Sequence, residues 1–396
     1  MCDVRWLGPA ILLCSGCSYY DASLLAGQDA GRDADVRDVV DAGDAFDVAD
    51  GGEGSVDGSV DGGGDVSNEG STPCVYARPP DQPDGGSGGD LEFIVAVREI
   101  NFGDVTGNPK EIGFDLDSRC TCDGEGSACL RESWASAEAC DGPGGRDNAA
   151  GVLLSEMAPL FSGFGSARWS QGAVEGSWSV LLRVRNYNGL ADDRDVRLDW
   201  YVPGPYWADK SDKSDVPSWD GTDTWPIQSN SLVEQGGKFD IDRPKVYDEH
   251  AYVTGGVLVG SLSASAFQVS KDYTIDLSGA FITAKVVEGA QGWTLQDGVL
   301  AGRWKLSGML AQASRIEIFS VPVCMDHPAY GGVKEKICAL ADIHSGLGGP
   351  TTPCDSISAG LEFQASPAGF GNIVPHVVAP SPCDPSVDPE GDECGS

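Results

Sequence analysis

GSWSVLLRVRNYNGLADDRDVRLDWYV, residues Gly176–Val202, decides how the rest of the chain reads. Trp178, Val180, Leu182 and Val184 alternate along the first half, the period-two pattern of a strand with one face in a core. Asn188-Gly189 is a tight-turn signal, because both residues tolerate positive φ. Val196, Leu198 and Trp200 then resume the alternation, so the stretch reads as two strands. Working outward, the same texture predicts strands at Leu91–Phe102, Lys238–Asp242, Ala251–Leu262, Tyr273–Val287 and Ile357–Ala365, with glycine and serine turns between them. Helical periodicity is scarce. One helix starts at an N-cap of Asp147 or Asn148 and ends near Pro159, and two others are expected at Val333–Ile343 and Ser307–Ile318. Many strands at hairpin spacing, with few helices to cover parallel crossovers, predict an all-β fold with minor α content. The expected architecture is an antiparallel, jelly-roll-like β-sandwich over residues 90–320, with a cysteine-rich segment, 321–396, packed on it.

The chain opens MCDVRWLGPAILLCSGC. Arg5 precedes an apolar run from Trp6 to Cys14 that is too short to span a bilayer as a helix. The small residues Ser15 and Gly16 then precede Cys17. This stretch resembles the signal peptide and lipobox of bacterial lipoproteins. The resemblance implies removal of residues 1–16, a diacylglyceryl group on Cys17 and attachment to a membrane through that lipid. Ser18 after the cysteine implies the outer membrane. The resemblance covers the anchor alone and implies nothing about activity.

Residues 17–89 read as an acidic Asp/Gly-rich tether. Positions 18–73 hold 14 Asp and Glu against two Arg, with Tyr19, Tyr20 and Phe46 the only aromatics. Such a segment cannot bury enough apolar surface to offset the entropy of ordering its backbone, so disorder is expected.

Thirteen cysteines occur. Setting aside Cys2 and Cys14 of the signal and the acylated Cys17 leaves ten, an even number suited to complete pairing in an oxidising compartment. Cys74, Cys120, Cys122, Cys129 and Cys140 form one cluster. Cys324, Cys338, Cys354, Cys383 and Cys394 form the other. Two odd clusters cannot close on themselves, so at least one disulfide must join them. Zinc is a poor alternative, since no Cys-x-x-Cys is present among these ten.

The net charge of −35 repels nucleic acid and anionic lipid headgroups, and no nucleic-acid partner is expected. The sequence has no His-Glu-x-x-His or Gly-x-x-x-x-Gly-Lys, and its four histidines, His250, His327, His344 and His376, have no metal-pair spacing. Two regions stand out. In FDLDSRCTCDGEGSAC, Asp115, Asp117 and Asp123 sit in cysteine-pinned loops, with Asp141 and Asp147 following. Asp115 and Asp117 mimic the first positions of a calcium loop, although Arg119 breaks the EF-hand pattern. The simpler reading is that these aspartates cap turns and a helix start. Calcium is the one cofactor the sequence suggests.

The second region is WYVPGPYWADKSDKSDVPSWDGTDTW, Trp200–Trp225. Flat aromatic faces beside carboxylates suit stacking on a sugar's C–H face and bonding of its hydroxyls. Trp207, Trp219, Trp225, Tyr206, Asp220 and Asp223 are the candidate ligand residues. The competing reading has these rings plugging the end of the fold. The functional expectation is a lipid-anchored binding protein of the cell envelope, with extracellular glycan as candidate ligand. The alternatives are a secreted glycoside hydrolase using paired Asp/Glu and a structural or adhesive envelope protein.

Overall fold

The structure, a computed structural model, describes residues 74–395 apart from 139, 162, 270–272 and 347. The expected signal segment, the expected lipid site Cys17 and the expected tether up to residue 73 lie outside the described residues.

The described residues form fourteen strands and four short α-helices. The strands are β1 (Leu91–Asn101), β2 (Leu181–Tyr187), β3 (Asp193–Tyr201), β4 (Thr224–Gln228), β5 (Leu232–Gln235), β6 (Lys238–Pro244) and β7 (Val246–Thr254). They continue with β8 (Val257–Gln268), β9 (Thr274–Gly289), β10 (Gly292–Lys305), β11 (Glu317–Ile318), β12 (Val321–Pro322), β13 (Ser356–Pro367) and β14 (Gly369–Val374). The helices are α1 (Ala149–Met157), α2 (Ser166–Val174), α3 (Leu306–Ala311) and α4 (Tyr330–Ala339).

The protein is mostly β with one large antiparallel sheet, as the alternating segments predict. That sheet bends round until its edges meet. Eight strands close in the order β1-β2-β3-β7-β8-β9-β10-β13 and back to β1, each pair antiparallel. Every neighbour but the closing pair follows in the chain, so the barrel is an up-and-down meander. Closure leaves no unpaired edge, which removes the usual aggregation hazard of a long strand.

An eight-stranded barrel is just wide enough for its own side chains to fill. Trp178, Val180, Leu182 and Val184 of the deciding stretch point inward, as do Val196, Leu198 and Trp200, and all are buried in the main core. The interior cavity is only about 20 Å³, walled by Trp178, Trp200, Phe267 and Phe363. That is about the room one water needs, so the barrel is a packed core and not a ligand cup.

Two smaller cores lie outside the barrel and explain why some strands are apolar on both faces. Ala96, Leu181 and Tyr201 face outward from β1, β2 and β3 and pack under Trp225, Ile227 and Leu232. On the opposite flank Leu116, Ala301 and Ile343 form a patch beside Phe114 and Phe281, which seats the cysteine-rich loop on β9 and β10.

All ten expected cysteines pair: Cys74–Cys120, Cys122–Cys140, Cys129–Cys354, Cys324–Cys383 and Cys338–Cys394. Cys129–Cys354 is the required link between the two clusters.

Two expected boundaries are corrected. Residue 320 does not end the β domain, because β13 lies within the segment 321–396 and closes the barrel between β10 and β1. The tether does not run to residue 89. Residues 74–89 strap the barrel through Cys74–Cys120, through Ala77 N donating to Gly144 O and accepting at its carbonyl from Asp115 N, and through Tyr252 Oη donating to Pro80 O.

Candidate metal centre

The loop from Ile112 to Asn148 carries no strand of the barrel, so disulfides and side-chain caps hold it. Cys74–Cys120 and Cys122–Cys140 fix its two turns, and Cys129–Cys354 stitches it to the chain before β13. Asn148 takes the N-cap of α1, accepting from Gly151 N at 3.0 Å. That releases Asp147 from capping. Its carboxylate instead turns into the loop and accepts from Leu116 N at 2.7 Å.

The result is a group of facing carboxylates. Oxygens of Asp115, Asp117 and Asp147 lie within 4.8 Å of one another. Asp141 stands beside them, accepting from Thr121 N at 2.6 Å. Asp342 approaches from the far end of the chain, held by Ser358 N at 2.8 Å and Ser358 Oγ at 2.5 Å. Asp115 is 7% exposed as a residue, and its side chain is wholly covered. Its Oδ1 accepts from Ser118 N and Arg119 N. Its Oδ2 is buried and accepts no hydrogen bond among the described residues. Arg78 Nε stands 3.8 Å away, beyond hydrogen-bond reach.

Burial and mutual repulsion disfavour the ionised forms. Burial, then Asp141 and Asp115, pushes Asp117 up to about 7. Burial raises Asp141 to about 6, against the Thr121 hydrogen bonds, and raises Asp342 to about 7, with Asp141 adding to the shift. Asp147 is raised well above the carboxylate range by burial and then by Asp117, Asp342 and Asp141. Such a group either shares protons or takes up a cation. Acceptor-only oxygens are hard ligands, and calcium accepts irregular sets of them.

Among the sequence candidates, Asp115 and Asp117 belong to this group and Asp123 does not. Asp123 is exposed on a tight turn closed by Cys122 N donating to Glu125 O. Asp147, which sequence reading also assigns to capping, takes its place. Asp342 carries no local signal, since its role depends on a disulfide partner and a strand brought from the other end of the chain. A second acidic set, Cys122, Glu138 and Cys140, offers no thiolate, because both sulfurs are in one disulfide.

The cluster lies between two surface openings. Asp117 lines a pocket of about 260 Å³. Asp115 lines a groove of about 670 Å³, between the strap at Arg78–Asp81 and the outer faces of β7, β8 and β9.

The aromatic loop does not form the expected platform. Trp225 is 0% exposed, packed edge-on to Tyr206 and tilted against Trp219. The Asp223 carboxylate is buried and consumed by Tyr206 Oη, Ser218 N and Trp219 N. Asp220 closes its own turn onto Thr222. Trp207 and Trp219 are half-buried, and the Trp219 indole donates to Val174 O at 3.1 Å. Trp225 and Asp223 therefore cannot meet a ligand, and the loop serves to cover β1, β2 and β3.

Comparison with protein-family models, with curated proteins and with solved structures gives no match to this chain.

Proposed function

We propose that this is a lipid-tethered binding protein of the outer membrane that holds a calcium ion among Asp115, Asp117 and Asp147, with Asp141 and Asp342 behind them. The observation that carries the cation is the carboxylate of Asp115, grouped with those of Asp117 and Asp147, whose buried Oδ2 accepts no hydrogen bond among the described residues and has only the half-exposed Arg78 guanidinium, 3.8 Å away, as an ionic partner. Leaving such an atom unmatched costs about 1–3 kcal/mol, and a cation would offset it. Ten paired cysteines support an oxidising compartment outside the cytoplasm, and the lipobox-like start supports a membrane anchor. Extracytoplasmic calcium modules operate at about 0.1–1 mM affinity.

Scanning calorimetry of the EDTA-treated protein tests the cation. At about 100 times the dissociation constant, calcium adds about 2.7 kcal/mol and raises Tm by about 5 °C. An unchanged Tm at that ratio, reached in about 10–100 mM calcium, overturns the site. In cells, Cys17→Ser should move the mature protein from the membrane fraction to the soluble one, and retention in the membrane would overturn the anchor.

A further inference from the structure

We infer that the Cys122–Cys140 disulfide is a redox latch on the carboxylate cluster, and that opening it with a dithiol weakens the cluster's hold on calcium. The inference rests on the calcium reading above and adds its regulation. The first observation is access. Cys122 is exposed and Cys140 half-buried, whereas each of the other four disulfides has at least one buried cysteine. Exchange requires a thiolate to reach a sulfur, so this is the bond open to attack. Cys122 also has φ 71°, a left-handed backbone that a residue with a side chain adopts at a cost and is free to leave once the bond is cut. Cys140 lies on a small opening lined by Lys110 and Arg146 as well as by Glu138, Asp141 and Asp342. An approaching thiolate therefore meets cations beside the carboxylates, and the cations favour the thiolate that leaves from Cys140.

The second observation is the route from the bond to the cluster. Thr121 precedes Cys122 and Asp141 follows Cys140. Thr121 N donates to Asp141 Oδ2 at 2.6 Å, and Asp141 N donates to Thr121 O at 3.3 Å, so bond and pair close one small ring. Asp141 in turn shares a hydrogen bond with Asp147, a member of the cation group. No strand of the barrel runs through this loop, so the disulfide is the covalent tie that fixes residue 121 against residue 141. Cutting it frees a loop of 18 positions. Calcium must then remove that added chain freedom to gather the carboxylates, and its affinity falls. Cys74–Cys120 and Cys129–Cys354 stay closed, so the loop loosens without leaving the barrel.

In the exchange, one thiolate of the dithiol attacks Cys122 Sγ, and the electron pair of the S–S bond leaves on Cys140 Sγ. The second thiolate of the dithiol then displaces Cys122. The dithiol ends as a cyclic disulfide, and its two protons pass to Cys122 and Cys140. Linkage makes the effect reciprocal: calcium must oppose reduction by the same factor by which reduction weakens calcium.

The test titrates the full mature protein with dithiothreitol, alkylates the freed thiols at each step and locates them by mass spectrometry. Cys122 and Cys140 should be labelled first. Calorimetric titration with calcium should show an affinity about fivefold or more lower in the singly reduced form than in the oxidised one. The same factor should appear as extra dithiothreitol needed when calcium is present, a tenfold factor being a midpoint shift of about 30 mV. The Cys122→Ser, Cys140→Ser double variant should bind calcium as weakly as the reduced form with no reductant present. Should that variant fail to fold, the reduced wild type carries the comparison. Equal calcium affinity in the oxidised and reduced forms would overturn the latch and leave the cation site standing. Another disulfide opening first would overturn it as well. Absence of calcium uptake by the oxidised form would remove the calcium reading and the latch with it.

Discussion

Asp117 and Asp342 titrate at about 7 and Asp141 at about 6, so the calcium-free fold carries a pH signature of definite sign. An unfolded aspartate releases its proton at about 3.9. Between that value and 7 the folded chain holds protons that the unfolded chain has lost. Stability from these groups is therefore full at acid pH and falls as pH rises through 7. Carboxylates with lowered values, such as Asp209 and Asp242, act below about pH 4 and do not disturb this window. EDTA-treated protein should melt at a lower temperature at pH 8 than at pH 5, and calcium should close the gap. A flat profile without calcium would contradict the repulsion. Residue scale also separates the tryptophans. Trp225→Ala should cost about 3–5 kcal/mol by urea denaturation, as for other buried large rings. Trp207→Ala, at a half-buried position, should cost under about 1 kcal/mol. Equal losses would mean that the loop is no covering layer.

At the scale of elements, a turn offers the cleanest measurement. Gly255 and Gly256 join β7 to β8 with φ of 56° and 80°, and a Cβ at either would meet nothing within 4 Å. Gly256→Ala should therefore cost only the backbone penalty, about 1–2 kcal/mol, read as a lower Tm with the fold unchanged. This turn also shows what was legible. β1, β2, β3 and β9 announce themselves by alternation. Ala251–Leu262 reads as one strand, but the glycine pair divides it between β7 and β8. β10 is hidden by Asp297-Gly298, which imitates a turn and is a bulge. Asp297 has φ 47°, and Gly298 lies so close to Phe363 that a Cβ would come within 2.4 Å of its ring. The helix at Asn148 is legible from its cap. α2 is not, because Gly165 precedes it where a capping side chain would be expected. Four of the five carboxylates, Asp115, Asp117, Asp141 and Asp147, lie in the one loop that the sequence singles out. Asp342 depends on contacts that only tertiary structure brings about.

For the whole molecule, the decisive fact is that the barrel closes on β13. A chain ending at residue 350 would lack that strand and Cys354, and would leave β1 and β10 as open edges. Such a truncation should show no cooperative thermal transition. A native-like melt would mean that the C-terminal segment is only packed on a finished domain.

The pairing of Cys129 with Cys354, 225 positions later, bears on how the protein is made. As the chain is made from its N-terminus, the five cysteines of the first cluster arrive before the first of the second. Pairing in order of arrival would join Cys74 to Cys120 and then Cys122 to Cys129, leaving Cys140 alone. The native set instead encloses Cys129 between Cys122 and Cys140 and keeps its thiol waiting. An oxidant alone would trap the wrong partner, and release requires thiolate attack on that bond. Refolding of the reduced protein should therefore recover more of the native set with a disulfide isomerase present than with an oxidant alone, and equal recovery would contradict this.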